Sequence, residues 1–81
     1  MDRSSIEERV KEVMAGMFDI AETEIGASSS IETVENWDSL RHVNLIMALE
    51  QEFGVTMDTE DAIEMTSFTA VCDALGRYVA A

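Results

Sequence analysis

Proline is absent from this 81-residue chain, and glycine occurs only four times. Because these residues mark turns, their scarcity favours helices over a fold of many short strands. The single cysteine, Cys72, excludes an intrachain disulfide and a thiolate metal cluster. It lies in an apolar stretch, which predicts a buried and unreactive thiol.

Basic residues and long apolar runs are scarce as well. Five Lys and Arg stand against 17 Asp and Glu, a formal net charge of -12, which disfavours binding to nucleic acids and to anionic membranes. Partner proteins with basic patches are expected, although the acids can equally serve solubility alone. The chain has no apolar signal core and no run of membrane-spanning length, so we expect a cytoplasmic protein without stable membrane insertion.

The length predicts a single domain over residues 1–81, with a modest core and no large enclosed catalytic pocket. Ser5-Ile6-Glu7-Glu8 is typical of a capping box, which predicts a first helix over residues 5–18. No helical period holds from residue 19 to 37, where we expect an ordered loop. Four apolar residues are spaced to pin this loop to the helices: Ile20, Ile25, Ile31 and Val34.

A second helix is predicted over residues 39–53, with Asp38 as its N-cap and Gly54 as the residue that ends it. It carries two apolar stripes, more than one buried face requires, so one stripe is expected to stay partly exposed for a partner. The first stripe contains Leu45, Ile46, Leu49 and Phe53, and the second contains Leu40, Val43 and Met47.

Two further helices complete the predicted fold. A short turn of helix is expected to start at Asp58 or Thr59, and a last helix is expected to start after a cap at Thr66 or Ser67. The sequence therefore predicts an all-α four-helix bundle, with three main helices, a short third helix and a long loop between the first two.

Ser39 is the candidate site of a chemical modification. It stands in the first turn of a strongly capped helix, where the helix dipole and unpaired N–H groups favour a nearby anion. A serine esterified to a phosphodiester suits that position, and an ordinary first-turn serine is the alternative.

The run from Asp38 to Val55 resembles the acyl carrier protein family. In that family the tripeptide Asp38-Ser39-Leu40 opens the second helix, and the pattern Leu49-Glu50-x-Glu52-Phe53 closes it. The order and length of the predicted helices also match. The tripeptide alone is a weak signal, but together with the downstream pattern in a small acidic helical chain it is specific.

The resemblance implies that Ser39 carries a 4′-phosphopantetheine arm, transferred from coenzyme A by a phosphopantetheinyl transferase that uses a divalent cation. The arm's thiol would hold an acyl group as a thioester, and the carrier itself would catalyse nothing. No metal-ligating residues are predicted, and weak divalent binding through the negative charge alone is left open. Asp38 would help to orient the serine in addition to capping the helix. The implied partners include an acyl-loading ligase or transferase and synthase-type enzymes with basic docking patches, and the carrier is expected to be a monomer.

The resemblance also implies two surfaces. Leu40, Val43, Met47 and Glu50 would contact partner enzymes, with Glu52 as a further acid; core packing and plain solvation are the alternatives for these positions. An acyl chain could shelter between helices, although core packing is the first role of the residues concerned. These residues are Ile46, Leu49, Phe53, Ala62, Met65 and Phe68.

The chain departs from the family pattern at Arg41 and Asn44, where carriers of primary fatty-acid synthesis usually have acids. This departure favours a specialised carrier in a fatty-acid or polyketide type of pathway. Glu35-Asn36-Trp37 also lacks the glycine pair typical of peptidyl carriers. The principal alternative function is an unmodified acidic adaptor that binds partners through the second helix.

Two aromatic residues beside Ser39 have competing interpretations. His42, the only histidine, lacks the third group and the G-x-S-x-G turn that a serine hydrolase needs, so a surface histidine near the partner face is expected. Trp37 is expected to pack beside the helix start. A calcium-binding module is also a poor match, because Asp58, Glu60, Asp61 and Glu64 lack the EF-hand spacing.

Overall fold

A computed structural model describes residues 2–79, which form one bundle of four α-helices. The predicted all-α four-helix bundle is thereby confirmed for this part of the chain. Residues 1, 80 and 81 of the predicted domain are not among the described residues. No helix within residues 2–79 is both long enough and apolar enough to cross a bilayer. The helices are α1 (Arg3–Phe18), α2 (Ser39–Phe53), α3 (Thr59–Glu64) and α4 (Phe68–Val79).

The first helix starts two residues earlier than predicted, and the predicted capping box at Ser5 is wrong. Asp2 is the N-cap, since its carboxylate accepts a hydrogen bond from the Ser5 N–H at 2.9 Å. Ser5 therefore lies inside the first turn, because aspartate three residues upstream caps as well as serine does. The helix ends at Asp19, which adopts the left-handed conformation (φ 56°) and donates its N–H to the Ala15 carbonyl.

The long connection between α1 and α2 is ordered, as predicted. It contains a 3₁₀ turn over Glu22–Glu24 and buries Ile25 and Val34. Ile31 does not anchor it through its side chain, which is 37% exposed. The backbone anchors this point instead, because the Ile31 N–H donates to the Thr66 carbonyl at 2.8 Å.

The core lies between α1, α2 and α4. Val10, Met14, Leu45, Leu49 and Leu75 are completely buried there. Cys72 is buried among them, and burial raises the pKa of its thiol to about 11, which keeps it protonated and unreactive as predicted.

The short helix α3 is held mainly by its neighbours. Asp58 precedes it without a side-chain capping bond, whereas Ser67 caps α4 by accepting the Ala70 N–H at 3.1 Å. From α4, Tyr78 accepts the Asp58 N–H at 2.9 Å and donates its hydroxyl to the Asp61 carboxylate. These bonds hold α3 to α4, while another part of α3 lines a groove with the first half of α2, where the candidate site lies.

Candidate functional site

Ser39 is the first residue of α2 and is exposed to solvent. The predicted N-cap is confirmed, because the Asp38 carboxylate accepts the Arg41 N–H at 2.8 Å. Gly54 ends the helix as predicted, in the left-handed conformation (φ 65°). The Ser39 hydroxyl therefore stands at the positive end of a complete, capped helix.

A segment packed against the end of α1 lies directly before Ser39. Trp37 is 3% exposed and stacks on Phe18 at the end of α1, with ring centroids 5.1 Å apart. The Asn36 side-chain amide donates to the Phe18 carbonyl at 2.7 Å. The packing predicted for Trp37 is therefore confirmed, and it fixes where α2 begins relative to α1.

The charge next to Ser39 is partly balanced. The Arg41 guanidinium lies 3.7 Å from the Asp38 carboxylate, and both side chains are about half exposed. An exposed hydroxyl, a helix N-terminus and a neighbouring carboxylate that is paired with Arg41 together suit a phosphodiester, whose charge the first-turn N–H groups and Arg41 would favour. The residues present thus fit the predicted phosphopantetheine.

An apolar groove continues along α2 from Ser39. Positions three, four, seven and eight residues after Ser39 share its face of the helix, and their side chains form one wall. The opposite wall comes from α3, and the groove has a volume of about 250 Å³. Its lining residues are His42, Val43, Ile46 and Met47 from α2 and Thr59, Ala62 and Ile63 from α3.

The structure separates the six predicted acyl-pocket residues. Ile46 and Ala62 line the apolar groove. Leu49, Met65 and Phe68 are buried in the core, and Phe53 packs against it from the edge. Core packing is thus the visible role of these last four residues.

The predicted partner residues also fall into two groups. Leu40, Val43 and Met47 are 72%, 56% and 57% exposed, so no part of the bundle covers them. Glu50 differs, because its half-buried carboxylate accepts the Met57 N–H at 2.8 Å. Glu50 thus links α2 to the following loop, and its contact with partner enzymes stays a prediction. Glu52 is exposed and pairs with Arg9 at 3.1 Å.

Ile63 is a site residue that the sequence analysis did not single out. It is 66% exposed on α3 and lies across the groove from Val43 and Met47. The available signal was an isoleucine flanked by Glu60 and Glu64 in a very short helix, a pattern that leaves little room for a buried face. Together these residues form the exposed apolar cluster: Leu40, Val43, Met47 and Ile63.

His42 is not the surface histidine that was predicted. It is half-buried, and its ring stacks beside Trp37 with centroids 6.1 Å apart. Its Nδ1 lies 3.0 Å from the Trp37 indole nitrogen, and its Nε2 lies 2.7 Å from the Ala62 carbonyl oxygen. The sequence places His42 near Ser39, but only the packing of α3 supplies its second partner.

Metal-ligating side chains are dispersed in the part of the chain that the structure describes: no three His, Cys, Asp or Glu residues there are grouped to hold a metal ion.

Comparison with known proteins agrees with this geometry. A family model described as a phosphopantetheine attachment site matches residues 8–75. The chain is 37% identical to an acyl carrier protein of Thermosynechococcus vestitus over 100% of both chains. It is 35% identical to an acyl carrier protein of Buchnera aphidicola, over 93% of this chain and 96% of that protein.

A solved structure of the acyl carrier protein from Enterococcus faecalis has the same fold, with a TM-score of 0.72 and 27% identity over 90% of this chain and 92% of that chain. The family model covers most of the sequence, and the two relatives match it over nearly their full lengths. The chain therefore belongs to the acyl carrier protein family, whose members hold a covalent 4′-phosphopantetheine and act as carriers rather than catalysts.

Proposed function

We propose that Ser39 is the attachment point of the phosphopantetheine arm and that the chain presents acyl intermediates to partner enzymes. The observation that carries this proposal is the exposed Ser39 hydroxyl at the capped start of α2, from which an apolar groove runs along the same helix face. Asp38 acts by capping that helix start, and Trp37 holds it in place.

The arm, once attached, supplies a thiol that holds the acyl group as a thioester. Tethering raises the effective concentration of the acyl group at a docked enzyme, so an intermediate need not diffuse between steps. The groove offers an apolar chain a place out of water between α2 and α3, with Ile46 at its base. The acyl-pocket role is proposed for Ile46 and Ala62 and not for the core residues beneath them.

The exposed apolar cluster is the proposed docking surface for partner enzymes. Monomeric proteins rarely leave several large apolar side chains exposed together without a binding role. Glu60 and Glu64 flank Ile63 and are exposed, so a partner with a basic rim around an apolar centre would complement this surface. The expected partners are a phosphopantetheinyl transferase, a loading enzyme and synthase-type enzymes, each bound by a monomeric carrier.

Arg41 and Asn44 support a dedicated pathway of the fatty-acid or polyketide type. Both are exposed on the first two turns of α2, beside the docking surface. Arg41 would repel a basic patch that approaches this end of the helix, and like-charge contacts are an effective means of rejecting wrong partners.

The attachment site is tested by intact mass after incubation with coenzyme A, magnesium and a broad-specificity phosphopantetheinyl transferase. The wild type is expected to gain one phosphopantetheine, Ser39→Ala none, and the control Ser4→Ala, at an exposed serine of α1, as much as the wild type. No gain by any of the three would instead support the unmodified adaptor, which binds partners through α2 without a prosthetic group.

The dedicated-pathway proposal is tested with an acyl transferase of primary fatty-acid synthesis. The holo wild type is expected to be a poor acceptor, and the Arg41→Asp/Asn44→Glu double variant a better one, with roughly tenfold higher kcat/KM because an acidic docking patch has been restored. Equal kcat/KM for the two proteins would contradict this part of the proposal.

A further inference from the structure

We propose that His42 is a positioning residue that fastens α3 to α2 and so keeps the walls of the apolar groove together. His42 has this positioning role already in the apo protein, before the phosphopantetheine arm is attached. Its consequence for a bound acyl chain rests on the function proposed above. The three residues Trp37, His42 and Ala62 are called the His42 bridge.

The bridge joins three separate parts of the fold. Trp37 belongs to the segment fixed against α1, His42 lies in the first turns of α2, and Ala62 lies in α3. The two hydrogen bonds measure 3.0 Å to the Trp37 indole nitrogen and 2.7 Å to the Ala62 carbonyl oxygen. Among the described residues, the second is the only side-chain hydrogen bond between α2 and α3.

The partners of His42 define which ring nitrogen accepts a hydrogen bond and which donates one. An indole nitrogen only donates, so His42 Nδ1 must accept from Trp37. A carbonyl oxygen only accepts, so Nε2 must carry the hydrogen that is donated to Ala62. The two hydrogen bonds can therefore form together only on the tautomer that carries its hydrogen on Nε2, and both ring nitrogens are then satisfied.

Helix α3 depends on the hydrogen bond from His42 to Ala62 because the helix is short. A helix of six residues is too short to be stable alone, so its position is set by contacts with its neighbours. On the α4 side, Tyr78 and Arg77 both hold Asp61, the latter at 3.3 Å. On the α2 side, the bond from His42 is the corresponding attachment. Without it, we expect the groove wall formed by Ala62 and Ile63 to move away from α2.

Amide hydrogen exchange of the apo protein tests the bridge without any need for the arm. The informative variant is His42→Phe, which keeps an aromatic ring beside Trp37 but removes both hydrogen bonds. His42→Gln is the matched rescue variant, because its amide can still donate to the Ala62 carbonyl. The exchange rates to compare are those of Ala62 and Met65 near α3 and those of Val10 and Met14 in α1.

In His42→Phe we expect exchange at Ala62 and Met65 to be roughly tenfold faster, with Val10 and Met14 changed less than about twofold. His42→Gln should fall close to the wild type. The wild-type imidazole should also show the ¹⁵N shifts of the tautomer protonated on Nε2. Unchanged exchange in α3, an equal rise throughout the bundle, or a Gln variant as fast as the Phe variant would overturn the proposal.

The consequence for a bound chain is tested on protein loaded with octanoyl- or acetyl-phosphopantetheine, by the rate at which hydroxylamine cleaves the thioester. His42→Phe should expose the octanoyl thioester and speed its cleavage by about threefold. Acetyl has little apolar surface to gain from entering the groove, so its thioester should be cleaved equally in both proteins. Equal octanoyl rates would overturn the shielding role. Failure of the proposed function would be recognised separately. A different attachment site would give a mass gain in Ser39→Ala, and an unmodified adaptor would give no mass gain in any of the proteins.

Discussion

The polar groups of Glu50 and Tyr78 form hydrogen bonds with other parts of the protein. The Glu50 carboxylate accepts the Met57 N–H, and the Tyr78 hydroxyl lies between Asp58 and Asp61. Each bond joins a helix to the loop or helix packed beside it. Such bonds contribute to stability even at partly exposed positions, because the backbone donors that they satisfy would otherwise lose their partner.

Replacing Glu50 with alanine should lower the free energy of unfolding by about 1–2 kcal/mol, because the Met57 N–H loses a charged acceptor. Chemical denaturation measures the change. The neighbouring exposed residue of α2 supplies the control, Gln51→Ala, which should change stability by less than about 0.5 kcal/mol. A Glu50→Ala protein of unchanged stability that is modified poorly by the transferase would instead support the predicted docking role of Glu50.

Tyr78 should make stability depend on alkaline pH. Its hydroxyl donates to the Asp61 carboxylate, and this bond raises the pKa of Tyr78 above the ordinary tyrosine value of about 10. A raised pKa means that the folded state holds the proton more tightly. The stabilisation is therefore complete below about pH 10 and is lost as the pH rises through the pKa of the folded state.

Denaturation of the wild type and Tyr78→Phe across this range provides the measurement. The wild type should lose more stability than the variant on passing to strongly alkaline pH. Because Tyr78 is the only tyrosine, its phenolate absorbance gives its pKa directly in the folded and unfolded protein. Parallel loss of stability in the two proteins would show that the bond to Asp61 contributes nothing.

At the scale of the helices, glycine has different effects at different positions. Gly16 and Gly76 lie inside α1 and α4, where an added Cβ would meet no atom within 4 Å. Gly54 also has open space, but its φ of 65° is one that other residues adopt only at a cost. Backbone conformation and not crowding distinguishes the three positions.

Gly16→Ala and Gly76→Ala should each raise the free energy of unfolding by about 0.5–1 kcal/mol, since alanine restricts the unfolded chain and favours helix. Gly54→Ala should lower it by about 1 kcal/mol, since alanine is strained in the left-handed region. Thermal unfolding of the three variants tests both the predicted stabilisation and the predicted destabilisation. Stabilisation by Gly54→Ala would refute the explanation.

At the scale of the whole molecule, the basic residues are already engaged. All four arginines pair with carboxylates, and the Lys11 ammonium lies 5.8 Å from the centre of the Phe68 ring. Most acids within residues 2–79 thus have no basic partner, and the net charge is -12. The folded protein must therefore bear substantial repulsion among its carboxylates.

Added salt or magnesium should raise the melting temperature by several degrees, because ions screen this repulsion more strongly than they weaken the exposed ion pairs. Thermal unfolding at low and moderate ionic strength is the measurement. Glu60→Lys/Glu64→Lys, which reduces the net charge, should depend less on salt. A melting temperature that is insensitive to ionic strength would contradict this account.

Local signals in the sequence were sufficient to predict the bounds of α2, the start of the last helix and the packing of Trp37 beside the start of α2. Asp38 and Gly54 act on backbone groups within a few residues, so their effect is visible from sequence alone. The cap of α1 was missed, because Asp2 and Ser5, three residues apart, are both suitable caps and the sequence pattern does not decide between them.

The sequence by itself determined the helical class, the acidic character, Ser39 at a capped helix start and the resemblance to a carrier family. Tertiary structure alone decided the hydrogen-bond partners of Glu50 and His42 and the exposure of Ile63. Hydrogen-bond partners of the first two come from segments that α2 meets only after folding, and the exposure of Ile63 depends on how α3 lies against α2. Periodicity within one segment carries no information about such contacts, because they depend on how separate segments pack.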